Sequence, residues 1–226
     1  MPEDRRLYGR RKGRPLRKGQ QHLIDTLLPR LAIALPASGK LDPRALFPHK
    51  PDQVWLEIGF GGGEHLVEQA RAHPDVGLIG CEVFLNGIAT LLAQVSSHGL
   101  ANVRVHPEDA RDLLDALPDA SLDRVFLLFP DPWPKRRHAE RRFIQSANLD
   151  LLARLMRPGA ELRVATDDPI YIGWTLAHLV RHPAFAWTAR EPADWRARTA
   201  DWPGTRYESK ALREGRQPVF LRFTRR

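Results

Sequence analysis

The sequence predicts an α/β domain: a doubly wound, mostly parallel seven-stranded sheet with a terminal antiparallel hairpin. Three observations lead there. From residue 53 onward, short apolar runs alternate with stretches of helical period, the pattern of a parallel sheet covered by helices on both faces. A glycine-rich turn follows the first run. The last two apolar runs have no obvious helix between them, as in a hairpin. A length of 226 residues suits one continuous core, and the 42% apolar residues fall in clustered runs that a packed interior can use.

Taken in order, residues 1–20 are basic, contain glycine and are poor in apolar side chains, so they read as a flexible arm ahead of a single domain over 21–226. Leu23, Leu27, Leu28, Leu31 and Leu35 recur at helical spacing, which predicts an amphipathic helix over 21–35 despite Pro29. Pro36 and Gly39 signal a loop. Strands are expected at 53–58, 77–81, 102–106, 123–129 and 161–166. Helices fall between them at 64–73, 86–97, 110–116 and 141–156, the last closed by Arg157-Pro158-Gly159. A helix near 169–182 precedes the two hairpin strands, 185–190 and 219–225. The segment 191–210 between these strands reads as irregular, either a lid or a packed sheet edge.

Several classes are disfavoured. No apolar stretch approaches the ~20 residues that span a bilayer, and no hydrophobic signal region follows the first residues, so no membrane partner and a cytoplasmic setting are expected. The single cysteine, Cys81, supports neither an internal disulfide nor a thiolate cluster. The nine histidines lack ligand spacing and Asp167-Asp168 alone is a poor metal site, so no metal is expected. Nothing calls for an obligate protein partner. The net charge of +8 is concentrated in two places. One is the arm, with Arg5, Arg6, Arg10, Arg11, Lys12, Arg14, Arg17 and Lys18 against Glu3 and Asp4. The other is 135–142, with Lys135, Arg136, Arg137, Arg141 and Arg142 against Glu140. The remainder is slightly acidic, so a polyanion such as RNA would meet these two segments.

The first strand, Val54-Trp55-Leu56-Glu57-Ile58, runs into Gly59-Phe60-Gly61-Gly62-Gly63. A dinucleotide fingerprint would need glycine at Glu64 or Leu66, so neither register fits. The pattern Glu57-x-Gly59-x-Gly61-x-Gly63 instead resembles the first motif of the Rossmann-like S-adenosylmethionine-dependent methyltransferases. Glycines let the backbone approach a bulky cofactor, and a carboxylate suits one that bears an ammonium and a sulfonium. Glu82, at the end of the second strand, can accept from both ribose hydroxyls. Asp109, after the third, is positioned to accept from an adenine amino group. Each alone could be a turn or cap residue, but together they sit at three successive strand ends.

The fourth strand ends in Phe129-Pro130-Asp131-Pro132-Trp133-Pro134-Lys135, where prolines on both sides fix the backbone around one carboxylate. This run resembles the signature of the tRNA (guanine-N7)-methyltransferases. So do Gly9-Arg10-Arg11-Lys12-Gly13-Arg14, Leu56 to Gly61, Ala165-Thr166-Asp167 and Gly204-Thr205-Arg206-Tyr207-Glu208, in the same order along almost the whole chain. The resemblance implies that S-adenosylmethionine is the cofactor and a variable-loop guanine of tRNA (position 46) the target. It implies cofactor contacts from Glu57, Gly59, Gly61, Gly63, Glu82, Asp109 and Asp131, with Asp131 also catalytic. Lys135, Asp167, Thr205, Arg206, Tyr207 and Glu208 are implied to bind substrate. RNA contact is implied for Arg137, His138, Arg141 and Arg142 and, with the basic arm, expected for Arg10 and Arg11. The family often has methionine at Gly62 and lysine at Arg206. Two rivals stay open: methylation of an exocyclic amine, whose loop Asp131-Pro132-Trp133 resembles loosely, and an RNA-binding protein without activity.

Overall fold

The computed structural model describes residues 8–226; the expectations placed on residues 1–7 lie outside them. Strands β1 (Val54–Ile58), β2 (Gly77–Cys81), β3 (Val103–His106), β4 (Leu122–Leu128), β5 (Met156–Thr166), β6 (Phe185–Trp187) and β7 (Val219–Arg225) form one sheet in the order β3-β2-β1-β4-β5-β7-β6. The first five run parallel, and β7 is antiparallel to both β5 and β6. Because side chains alternate along a strand, Val54, Leu56 and Ile58 enter one core layer while Trp55 enters the other. Helices α3 (Glu64–Ala72) and α4 (Leu85–His98) cover the Trp55 face. Helices α5 (Ala110–Ala116), α6 (Ser146–Leu155) and α7 (Pro169–Leu179) cover the other. Among the described residues no helix is long and apolar enough to cross a membrane.

Three expectations need correction. The helix over 21–35 is two pieces, α1 (Lys18–Thr26) and α2 (Leu28–Leu31), with Pro29 in the first turn of the second, where its missing amide costs nothing. The chain then becomes extended, and Ile33 donates to the carbonyl of Val105 at 2.8 Å. The helix over 141–156 is a 3-10 turn (Arg136–Arg141), an extended stretch beginning at Arg142, and α6. Lastly, the segment between β6 and β7 is not irregular throughout: it holds α8 (Ala193–Arg196) and α9 (Arg206–Arg213). Helix α9 escaped the sequence pattern because it is short and rich in charge, with Ala211 its one buried residue. Trp202, before α9, is buried against Phe220 and the Arg163 guanidinium, so this part packs on the sheet.

Candidate active site

Strand order reverses between β1 and β4, and the crevice beyond the carboxyl ends there is where open parallel sheets bind ligands. A cavity of about 350 Å³ lies at this point, lined among others by Gly59, Gly61, Glu82, Phe129, Asp131 and Tyr207. A larger one of about 450 Å³, with Asp52, Trp55 and Arg124, sits at the opposite, amino ends of the strands, away from the motif residues.

The turn after β1 holds Gly59, Gly61 and Gly63 at φ of 74°, 57° and 80°, all in the left-handed region that glycine enters without steric cost. A Cβ on Gly61 would stand 3.1 Å from the Tyr207 ring. The amide of Gly61 donates to Glu82 at 2.8 Å, and the amides of Val83 and Phe84 donate to the other carboxylate oxygen at 2.8 and 2.9 Å. A carboxylate has roughly four acceptor positions. With three taken by backbone amides, one is left for a hydroxyl, fewer than the two hydrogen bonds expected from the sequence. Burial raises the pKa of Glu82, and the nearby charge of Asp131 adds to this against the opposing effect of the three amide bonds.

The aspartate loop is built differently. Phe129 and Trp133, at its two ends, stand at φ of 50° and 42°, positions that bulky side chains rarely occupy. Asp131 is exposed on the cavity wall, and among the described residues no group hydrogen-bonds its carboxylate. Phe129 stacks on Tyr207 at 6.3 Å. Tyr207 therefore walls the cavity between the glycine turn and the aspartate loop.

Other expected residues lie apart from this cavity. Glu57 is buried and accepts from His65 Nδ1–H at 2.7 Å, with the His65 ring edge-on to Phe126; it borders a small crevice shared with Thr205 and Tyr207. His65 had no signal in the sequence beyond its place on the helix after the turn. Asp109 caps α5 through the Arg111 amide at 2.9 Å and is gripped by the Arg111 guanidinium. It faces a separate cavity that shares Tyr8 with the first. Asp167 pairs with Arg216 at 2.5 Å, and Glu208 with Arg198 at 2.9 Å. Thr205 caps α9, accepting from the Glu208 amide, while Arg206 lies over Tyr207 and pairs with Glu64.

The basic segments also divide. Lys135, Arg136 and Arg137 are exposed. His138 packs edge-on against Trp133; desolvation, followed by the charges of Arg141, Arg137 and Lys135, lowers its pKa and favours the neutral ring. Arg141 lies over both Tyr8 and Trp133. Arg142, expected to touch RNA, is buried at 4% exposure and turned inward. The arm is not free over residues 8–14. Tyr8 and Arg10 line the cavity, Arg11 pairs with Glu108, and Gly13 and Arg14 bond to Asn86.

The family model described as "Putative methyltransferase" matches residues 51–221. A tRNA (guanine-N(7)-)-methyltransferase of Rhodospirillum rubrum is 61% identical, over 99% of this chain and 89% of its own length. One from Brucella anthropi is 52% identical, over 97% and 94%. Among solved structures, a 16S rRNA (adenine(1408)-N(1))-methyltransferase from Catenulisporales acidiphilia matches at TM-score 0.53 and 16% identity, over 86% of this chain and 97% of that one. The antibiotic-resistance methyltransferase Kmr matches at 0.52 and 19%, over 87% and 98%. At these identities the two structures speak for the fold alone, a Rossmann-like doubly wound domain. The chain belongs to the tRNA (guanine-N7)-methyltransferase family.

Proposed function

We propose that this chain transfers the methyl group of S-adenosylmethionine to N7 of a guanine in tRNA, the variable-loop guanine, with Asp131 as the catalytic carboxylate. The observation that carries this reading is an exposed carboxylate, Asp131, to which no described residue hydrogen-bonds, facing the same cavity as the amide-held Glu82 and the left-handed glycine turn. The cavity is of a size that takes a small cofactor. Its residues fit this one: the Glu82 carboxylate has a position for a ribose hydroxyl, the glycine turn leaves room for a bulky group, and acidic side chains face a cationic ligand.

When bound, the cofactor supplies an electrophilic methyl group. Guanine N7 carries an in-plane lone pair and no proton, so the chain need provide no general base; alignment and electrostatics suffice. Asp131 offers a fixed negative charge where positive charge develops on the ring. At ~4 Å and an effective dielectric of ~20, such a pair is worth at most ~4 kcal/mol. Phe129 and Tyr207 form an aromatic wall, and Asp167, oriented by Arg216, stands at the end of the neighbouring strand to meet the substrate. Lys135 and Arg137, exposed just beyond the loop, meet phosphates, as does Arg10 from the arm. The arm of residues 1–20 acts with the domain of 21–226, since Tyr8 and Arg10 close one side of the cavity. A cytoplasmic setting accords with the single, buried, free Cys81.

The test is methyl transfer from labelled cofactor to bulk tRNA, followed by nuclease digestion and mass spectrometry of the nucleosides. 7-Methylguanosine at a variable-loop position supports the reading. N6-methyladenosine would favour the exocyclic-amine rival, and absence of cofactor binding in calorimetry the inactive RNA-binding protein.

A further inference from the structure

Arg142 follows a run of exposed cations, Lys135, Arg136 and Arg137, yet its side chain is buried. Its Nε–H donates to the carbonyl of Pro132 at 3.0 Å and its Nη2–H to the carbonyl of Trp133 at 2.9 Å. The guanidinium plane lies over the indole of Trp174 on α7 at 4.5 Å. That indole is itself fixed, donating Nε1–H to the carbonyl of Ile144 at 2.5 Å and packing against His178. Thus a rigid helix, a planar cation and two consecutive loop carbonyls are joined in series.

Ring contacts also reach the loop, from Tyr8, His138 and Arg141 to Trp133 and from Tyr207 to Phe129, but few hydrogen bonds fix its backbone. Pro130, Pro132 and Pro134 have no amide hydrogen to donate. The amide of Phe129 bonds to the carbonyl of Ala165 at 2.7 Å, and among the described residues no other backbone–backbone hydrogen bond reaches 130–134. The entry to the loop is therefore tied to β5, and its exit to Arg142. Trp133, whose carbonyl Arg142 holds, is a residue in the left-handed region, a conformation that persists only where surroundings enforce it.

From this geometry we infer that Arg142 is the positioning residue of the aspartate loop, a guanidinium fork that sets where the Asp131 carboxylate stands while touching neither substrate nor cofactor. The inference rests on the proposed role of Asp131. A lysine in its place keeps the charge but lacks two donors at fixed spacing on one edge and the flat face that stacks on Trp174. Misplacing a reacting group by about an ångström costs on the order of 100-fold in rate.

The experiment compares wild type, Arg142→Ala and Arg142→Lys in single-turnover methyl transfer to tRNA, with cofactor affinity and stoichiometry from calorimetry. Turnover is expected to fall roughly 30- to 100-fold in Arg142→Ala and about tenfold or more in Arg142→Lys, with cofactor affinity kept within about threefold and one site per chain. Millimolar methylguanidinium should restore part of the rate of Arg142→Ala by refilling the slot over Trp174. A merely structural arginine would not give this: its loss would lower the titratable fraction and the rate together, with no rescue. That pattern, or a folded Arg142→Ala with wild-type turnover, would overturn the inference. Should Arg142→Ala fail to fold, Arg142→Lys decides alone, and wild-type turnover there removes the fork. Wild-type protein that yields no 7-methylguanosine defeats the functional reading itself; active wild type with indifferent variants defeats only the role of Arg142.

Discussion

The two loops that meet at the cavity reach similar backbone conformations by opposite means. In 59–63 the chain turns through three left-handed glycines, and little energy is stored because nothing but hydrogen clashes. In 129–133 the left-handed positions belong to Phe129 and Trp133, at a cost of about 1–3 kcal/mol each. Glycine would remove that cost, but it would also remove the ring that stacks on Tyr207 and the ring over which Arg141 lies. The glycine turn is therefore shaped by what it lacks and needs a carboxylate, Glu82, to hold an amide. The aspartate loop is shaped by what it carries and needs a cation, Arg142, to hold its carbonyls.

The sharpest way to break this comparison is to neutralise the group the second loop presents. Asp131→Asn should lower single-turnover methyl transfer by about 100-fold or more while tRNA binding stays within a few-fold, since the side chain keeps its shape and loses its charge. A near-normal rate would remove Asp131 from the chemistry and leave the loop as a wall.

Next comes the residue that serves the first loop. Glu82→Gln should weaken cofactor binding by about tenfold in calorimetry, because an amide can present acceptors to fewer than the three backbone N–H groups now bound. Wild-type affinity should also fall on acidification at a pH above the usual carboxylate range, since burial raises this pKa, and the variant should lose that acid limb. The sign for stability runs the other way. A carboxyl whose pKa is raised by folding favours the folded state when protonated, so this group does not destabilise the protein over that window. Unfolding that coincides with the loss of affinity would point to other carboxylates.

A smaller effect is expected outside the loops. Lys135→Ala and Arg137→Ala should each reduce the slope of log affinity for tRNA against log salt by about one, with little change in turnover at saturating tRNA. An unchanged slope would take that segment out of the phosphate path.

How much of this could be read in the residues differs between the two loops in the same physical way. The glycine turn and strand end of Glu82 follow local rules of spacing, so both were legible. Proline placement likewise marked the aspartate loop. What holds that loop was not legible, because Arg142 reads as one more cation in a basic run, and only packing against Trp174, some thirty positions on, turns it inward. Asp109 and Glu57 stand where spacing puts them, at strand ends, yet Arg111 and His65 engage their carboxylates. Helix α9 was not legible because it is short and half charged, although Thr205 at its start is an ordinary cap.

The gentlest test concerns the wall both loops share. Tyr207 meets Gly61 on one side and Phe129 on the other, and the chain leading to it is fastened by Trp202, packed on the sheet against Phe220, and by Asp201, which accepts from Arg163 at 2.7 Å. Burial alone would raise the Asp201 pKa. Hydrogen bonds from Arg163 and Thr199 and the charges of Arg163 and Arg124 outweigh it and hold the carboxyl well below the usual range. A pKa lowered by folding contributes stability that is complete above the unfolded value of about 3.9 and is lost as pH falls through the folded one. Asp201→Asn should therefore lower the denaturant midpoint at pH 7 modestly, since the carboxylate is partly solvated. The gap to wild type should narrow between about pH 4 and pH 2. A gap of constant size across that range would mean that shape, rather than charge, fastens the wall on which the glycine turn and the aspartate loop both lean.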